Sequence, residues 1–359
     1  MTRLSERYSI LFVEEPKDPD EAHPQGHVKQ VKINDHLTVF TPYIPWHNWP
    51  TMCSQYVPLL KKHVDAIEAS AFWFYSPYYV HLLKSFNPGK VIYDCMDEHS
   101  AFKNASPNLP AYERQLLGRA EVVFTGGRSL YEAKRDLHNN VHCFPSSVDS
   151  EHFEKAMDAA TEVPEDLQEV KRPVVGYYGV IDERIDMDLL AKTAQLLPDV
   201  SLIMIGPFAK IDKKEAAKAD NIHYLGKKDY ALLPGYLKGM DVAMMPFALN
   251  ESTRYISPTK TLEYMAALKP IVSTPVRDVV REYKGTVAIE DNATSFAEAI
   301  RAYLQETEEQ KQSRKKLQAE KIKANSWNKT VEEMERLAFK DQGKGNSQSS
   351  PSKRSVPMD

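Results

Sequence analysis

Short runs rich in Val, Ile, Phe and Tyr recur along the chain, separated by longer stretches in which apolar residues return every three to four positions. The first pattern marks buried strands and the second amphipathic helices, and their alternation predicts parallel sheets in an α/β architecture. In the first half the strand-like runs are SILFVEEP (9–16), LTVFTPYIP (37–45), AFWFYSP (71–77), KVIYDCMD (90–97), EVVFTGG (121–127) and NVHCFPS (140–146), with helices expected near 51–69, 78–85, 110–118 and 128–136. In the second half PVVGYYGV, VSLIMIGP, NIHYLG, DVAMMPF, KPIVSTP and TVAIED alternate with helices near 186–197, 229–239, 257–268, 276–282 and 293–304, which predicts a six-stranded doubly wound domain. Two such blocks suit paired Rossmann-like domains facing a cleft.

Around 150–172 the alternation lapses into an acidic, polar stretch bounded by prolines, read as an interdomain connection. The expected division is an N-terminal domain over 1–163 and a C-terminal domain over 164–305. Charged helices over 306–338 are expected to pack back on the N-terminal domain, before a polar tail over 339–359 too poor in apolar residues to fold.

Composition narrows the class. Lys and Arg number 46 against 50 Asp and Glu, a net charge of -4, so no overall basic field draws the chain to nucleic acid. Cys53, Cys95 and Cys143 are widely spaced and odd in number, which fits reduced, buried thiols and neither a zinc ribbon nor a disulfide framework. The first apolar run is too short for a signal-peptide core, and none approaches the ~18 residues that span a bilayer. A cytoplasmic chain is expected, with at most peripheral contact at the inner face of the membrane. Lys311, Arg314, Lys315, Lys316, Lys321 and Lys323 could make that contact, although Glu306, Glu308, Glu309 and Glu320 favour a solvated helix.

In open parallel sheets ligands bind beyond the carboxyl ends of the strands, where loops and helix N-termini converge. After DVAMMPF come the loop ALNESTRYI and then SPTKTLEYMAAL, in which Ser257 reads as an N-cap, Pro258 as the first helical residue, and Thr259 and Lys260 as the rest of the first turn. A cation there opposes the helix dipole and stands where a capping-box Glu would be. Lys260 is therefore either the partner of a bound anion or a solvated lysine. Glu263, one turn on, either completes a clamp, with Lys260 on a diphosphate and Glu263 on ribose hydroxyls, or pairs with Lys260. Arg184, in a loop before a helix capped by Asp186, offers a second anion contact, and Gly176 and Gly179 allow close backbone approach.

With these residues in place, the stretch from about Arg172 to Leu304 resembles the nucleotide-sugar-binding half of GT-B glycosyltransferases of family 4, the glycogen synthase-like type. The segment NIHYLGKKDYALLPGYLKGMDVAMMPFALNESTRYISPTKTLEYMAALKPIVSTP is similar to that family's donor site in order, and VIYDCMDEHSAF, EVVFTGGRSLYEAKRDLHNNVHCFPSSVDSEHF and SWNKTVEEM extend the likeness over most of 90–338. The resemblance implies that Lys260 and Arg184 hold the donor diphosphate and Glu263 the ribose, with Gly179, Ser257 and Thr259 beside them. It places base recognition near Leu225, Gly226 and Lys228. The family's helix often carries two glutamates eight positions apart; here Tyr255 stands eight before Glu263, and Glu251 is the expected substitute for the sugar-facing carboxylate. The family's opening strand and glycine-bearing loop are also missing, since the chain starts at what looks like the following helix. The N-terminal domain is accordingly expected to be incomplete at its start, through a misassigned start codon or loss of part of the catalytic face.

On the acceptor side, Asp94, Asp97, Glu98 and His99 cluster at the end of KVIYDCMD, with His99 or Asp97 the candidate base and no metal expected from a DxxD spacing. Thr125, Gly126, Gly127, Arg128 and Ser129 end another strand, with Ser129 read as an N-cap and the glycine pair as either a cleft contact or a tight turn. Glu14 and Glu15 end the first strand, and Trp46, His47, Asn48 and Trp49 form an aromatic loop that could stack on a sugar ring. The implied activity is transfer of a sugar from a nucleoside-diphosphate sugar, UDP foremost, to a sugar, lipid-linked or protein acceptor in glycan or cell-surface polysaccharide synthesis. Retention of configuration and independence of metal and cofactor are implied with it. Set against this are an inactive sugar-nucleotide-binding or scaffold protein of the same shape, and an epimerase, which needs no acceptor.

Overall fold

A computed structural model of the chain describes residues 1–19, 21, 27–44 and 49–339, with side chains for all of them except 49–55. Past Phe339 the expected tail lies outside the described residues. The N-terminal part runs β1 (Ile10–Val13), β2 (His27–Asn34), β3 (Leu37–Tyr43), α1 (Trp49–Ala66), β4 (Ala71–Phe74), a 3-10 segment (Pro77–Lys84), β5 (Lys90–Cys95), α2 (Leu109–Leu117), β6 (Val122–Thr125), α3 (Arg128–Lys134) and β7 (Val141–Cys143). β4 to β7 form a parallel sheet in that order. Val91 to Cys95 and Val122 to Thr125 are buried throughout, which explains runs of apolar residues where a half-exposed strand would alternate.

β1, β3 and β2 form a separate three-stranded sheet with β3 in the middle. β1 runs parallel to β3, but β2 runs antiparallel to it, so this part departs from the all-parallel pattern expected. His36 N donates to Asn34 Oδ1 at 2.9 Å and closes the β2–β3 turn.

The C-terminal part holds α4 (Ser150–Glu154), α5 (Glu165–Gln168), β8 (Val174–Tyr178), α6 (Met187–Leu196), β9 (Ser201–Ile205), β10 (Ile222–Gly226), α7 (Leu233–Gly239), β11 (Val242–Met245), α8 (Lys260–Ala266), β12 (Ile271–Ser273), α9 (Arg277–Tyr283), β13 (Ala288–Ile289) and α10 (Ala293–Leu304). Six parallel strands lie in the order β10-β9-β8-β11-β12-β13. The order reverses between β8 and β11, and loops diverging at such a point leave a crevice beyond the strand ends. α11 (Glu308–Ala324) lies along α8, where Gln318 Nε2 donates to Lys269 O at 2.7 Å. α12 (Trp327–Phe339) crosses back to the N-terminal part, where Met334 and Ala338 pack with Ile92, Val122 and Phe124.

The stretch expected as a polar connection is folded. Val148, Phe153, Ala156 and Leu167 are buried in the core of the C-terminal sheet, so the C-terminal core begins some fifteen residues before the boundary expected at 163. Widely spaced apolar residues among acids show no helical period, yet α4 with Phe153 packs between α7 and α8, and the segments of Ala156 and Leu167 pack on α7. Phe153 has no exposed surface, and Phe153→Ala is expected to lower the stability of the C-terminal domain by about 3–5 kcal/mol in denaturant melts. A linker residue would cost less than about 0.5 kcal/mol.

Candidate functional site

β8 is followed by Gly179 and β9 by Gly206, with φ of +143° and +149°, conformations that L side chains rarely adopt. A Cβ on Gly206 would lie 1.8 Å from Gly179 O, so the two strand-end loops touch backbone to backbone. A Cβ on Gly179 would lie 2.4 Å from Lys260 Cε and 2.8 Å from its Nζ. Lys260 therefore lies across a bare peptide at the end of β8, with its ammonium 5.6 Å from the Tyr177 ring centre. Among the described residues it forms no ion pair. Burial pushes its pKa down, opposed by Glu263 and Asp182 and assisted by Arg184. A half-buried ammonium without a counter-ion is costly, and an anion beside it would remove the cost.

The side chains around Lys260 are fixed from two directions. Glu263 does not pair with it; its Oε2 accepts from the Tyr178 hydroxyl at 2.8 Å. Tyr178 is buried between Phe153 and Tyr264. Beyond them His152 stacks on Tyr230 at 4.2 Å. Arg184 is gripped by Asp182, with Nε 2.9 Å from Oδ1 and Nη2 2.7 Å from Oδ2. Phe102 of the N-terminal part covers that pair, its ring centre 5.6 Å from the Arg184 guanidinium and 4.2 Å from Lys210 Nζ. Lys103 N donates to Glu183 Oε1 at 3.1 Å on the same side. Asp97 faces this group from above; burial raises its pKa, and His99, Arg184 and Lys210 oppose the rise.

A second contact joins the two parts. Asp278, on α9, accepts from Ser129 N at 3.1 Å and from Ser129 Oγ at 2.5 Å, and both residues are almost wholly buried. A Cβ on Gly127 would lie 2.6 Å from Asp278 Oδ2 and 2.8 Å from Ser257 Cβ. Gly127 thus serves the contact between domains while Gly126 lies against Met96, and the carboxylate at α3 comes from the protein itself. Arg277 and Arg281 flank it, each 3.0 Å from Glu132.

Several expected placements are corrected. α8 starts at Lys260 with Thr259 at the cap position and no side-chain cap, so Ser257 is not the N-cap; it touches Gly127 instead. Ser129 is the second residue of α3, after Gly127 at the cap position. Glu251 is exposed, 3.8 Å from Arg254, and does not join Lys260 and Glu263. Tyr255, which stands at the position of the family's first glutamate, packs on the N-terminal core. The four groups after β5 diverge: Asp94 accepts from Trp73 Nε1 at 3.1 Å, Asp97 faces the cleft, Glu98 binds Lys134 at 2.5 Å and His99 Nε2 lies 3.0 Å from Tyr75 O. Gly226 has a φ of +69° and open space around it, beside Leu225 at the end of β10. Lys228 is held away by Asp166 at 2.6 Å. Glu14 accepts from Thr41 and Lys17 at the end of β1, and Glu15 is exposed. Trp46, His47 and Asn48 lie outside the described residues, as does the Trp49 side chain.

The arrangement has the GT-B fold, with two Rossmann-like domains meeting across a cleft. The chain is similar to the sucrose-phosphate synthase of Thermosynechococcus elongatus, with a TM-score of 0.70 at 16% identity over 93% of this chain and 89% of that one. It is likewise similar to a UDP-forming α,α-trehalose-phosphate synthase from Burkholderia xenovorans in complex with glucose-6-phosphate, with a TM-score of 0.67 at 12% identity over 93% of each. Within this fold, residues 172–306 match the family described as Glycosyl transferases group 1. A relative named as a teichuronic acid biosynthesis glycosyltransferase, TuaH of Bacillus subtilis (strain 168), is 26% identical over 238 residues, 60% of this chain and 59% of that protein.

Asp182, Phe102, Lys210, Tyr178 and Asp278 were not singled out in the sequence. All but Asp182 act through a contact with a distant part of the chain, and Asp182, two before Arg184, alone carries a local signal. Asp94 generates a pH prediction. Burial lifts its carboxyl from 3.8 to about 6, against the opposing bond from Trp73. The folded pKa lies above the unfolded one, so stability present below pH ~4 is lost as pH rises through ~6. Asp94→Asn keeps the acceptor for Trp73 and cannot ionise. It is expected to stabilise the protein by about 2–3 kcal/mol at pH 8 and by nothing at pH 4. Equal effects at both pH values in urea melts would contradict the assignment.

Proposed function

We propose that the protein is a glycosyltransferase that moves a sugar from a nucleoside-diphosphate sugar, with UDP the expected nucleotide, to an acceptor hydroxyl on a sugar, lipid-linked or protein substrate. The observation that carries the reading is Lys260, a cation without a counter-ion laid over Gly179 at the floor of the cleft. In the reaction the bond from the anomeric carbon to the β-phosphate oxygen breaks, a bond from that carbon to the acceptor oxygen forms, and the acceptor proton passes to Asp97 or His99, the nucleoside diphosphate departing as an anion. Negative charge grows on the departing diphosphate, and a fixed ammonium beside it stabilises that growth more than it stabilises the bound donor. Glu263, aligned by Tyr178, receives the ribose hydroxyls, and the open space at Gly226 receives the base. Arg184 reaches the diphosphate by exchanging Asp182 for it. Asp97 and His99 face the acceptor. Retention without a metal is part of the same proposal, as is a place in cell-surface polysaccharide synthesis, which the likeness to TuaH supports.

A second reading, nucleotide binding without transfer, draws on one observation: the Arg184 fork is already filled by Asp182. Thermal shifts with UDP, GDP, ADP and dTDP separate the possibilities. A nucleotide at 100 times its Kd stabilises by about 2.7 kcal/mol, a shift of several degrees. We expect a shift with UDP that Lys260→Ala abolishes and Lys228→Ala keeps. We also expect turnover of the UDP-sugar to fall about 100-fold or more in Lys260→Ala and by less than about 3-fold in Lys228→Ala. A UDP shift with no cleavage of any UDP-sugar would favour binding alone, and no shift with any nucleotide would sink both readings.

A further inference from the structure

The loop that follows β5 is tied to the interior of the N-terminal part by a buried lysine. Lys134, in the last turn of α3, is only 3% exposed, and a lysine is rarely so deeply buried unless it is paired. Its Nζ donates to Glu98 Oε2 at 2.5 Å and to Glu113 Oε2 at 2.7 Å. The two carboxylates come from different elements. Glu113 belongs to α2, and its Oε1 accepts from the Tyr93 hydroxyl at 2.9 Å. Glu98 belongs to the loop, and its Oε1 accepts from Ser100 Oγ at 2.6 Å. Burial alone would push the Glu98 carboxyl up; the bonds from Lys134 and Ser100 more than reverse this and leave it below its usual range.

One cation buried with two carboxylates is a poor source of stability, because apolar side chains of the same volume commonly do as well or better. What such a cluster supplies is direction, since a charge-assisted bond fixes its partner within a few tenths of an ångström. The partner fixed here is flanked by the residues that meet the C-terminal domain. Asp97, one before it, faces Arg184 and Lys210. Phe102 lies over the same two cations, and Lys103 N donates to Glu183 Oε1. The contacts of Phe102 and Lys103 are made to the other domain and are lost when the two part. Within its own domain the loop has weaker ties, Cys95 Sγ on Asp97 O at 3.4 Å and His99 Nε2 3.0 Å from Tyr75 O. The Glu98 carboxylate is the point at which the loop is ion-paired to the sheet beneath it.

We propose that Lys134, acting through Glu98, is the positioning residue of the loop 97–103 and presents Asp97 to the cleft in the same place whether the domains are together or apart. Glu113 and Tyr93 anchor the ammonium from below, so that α2, α3 and β5 all bear on one loop carboxylate. The acceptor-side role of Asp97 rests on the transferase reading above, and the placement of the loop does not.

Lys134→Met would strand two buried carboxylates and threaten the fold, so the test removes them one at a time. Glu98→Ala and Glu113→Ala each leave Lys134 in one buried ion pair, and a merely structural cluster would respond alike to both. In Glu98→Ala we expect amide exchange at Ala101 and Lys103 to rise about 10-fold or more, with exchange at β8 and β9 unchanged. The Asp97 carboxyl, raised by burial, should titrate lower in the same variant when followed by carbon NMR. Glu113→Ala should keep both the slow loop and the Asp97 titration. Glu98→Gln removes the same charge as Glu98→Ala but keeps an oxygen for Lys134, and it too should keep both. Unchanged loop exchange or an unchanged Asp97 titration in Glu98→Ala overturns the proposal, as does an equal response from Glu113→Ala or Glu98→Gln. The thermal shift with UDP, measured on the same samples, should persist in all three variants; its absence from the parent chain would count against the transferase reading and not against the loop.

Discussion

A lysine ammonium laid across a bare peptide, in no ion pair among the described residues, sets the terms for the C-terminal domain. Lys260 can lie there only because residue 179 has no side chain, and Gly179 can take its backbone angle only because Gly206 lets the neighbouring loop come to 1.8 Å of where its own Cβ would stand. The tyrosines follow from the same need. Tyr177 gives the cation an aromatic face, and Tyr178 turns Glu263 away from the pairing that would have neutralised it. A carboxylate one turn along the helix is normally the first partner a lysine finds. Here a single hydroxyl holds that carboxylate elsewhere, and the positive charge is left facing the cleft.

The N-terminal part is attached to this floor by groups that are individually ordinary and collectively specific. Asp278 accepts from the backbone and side chain of Ser129, Ser257 touches Gly127, and Tyr255 packs into the N-terminal core. α12 then ties the end of the described chain to the back of β5 and β6. Positions that the family resemblance assigned to ligand, Ser257 and the place held by Tyr255, are spent here on joining the domains.

Most of the C-terminal sheet was legible because its strands are buried on both faces and read as unbroken apolar runs between capped helices; the Asp186 cap sits where expected, accepting from Leu189 N at 2.8 Å. β2 is not legible because HVKQVKIN is largely exposed, with Val31 and Ile33 in solvent and only Val28 packed on a core. The stretch over 150–172 hides its fold for the opposite reason: Phe153 and Leu167 are deeply buried but too far apart in sequence to show a period. Lys260, Glu263 and Gly179 were legible because a helix start and a strand end carry local rules. Phe102 and Asp278 were not, since no local rule tells a side chain which distant group it will meet. Glu251 failed because its loop leaves it in solvent.

Two of the contacts between the domains are unequal in what parting them would expose. Separating Asp278 from Ser129 strands a buried carboxylate and two donors, each worth about 1–3 kcal/mol when left unmatched. Lifting Phe102 off Lys210 returns a ring and a cation to water at a cost of about 0.5–1 kcal/mol. The molecule is therefore bound like a book, with its spine at Asp278 and its fore-edge at Phe102, and whatever enters between the leaves does so from the side where Lys210 and Arg184 wait.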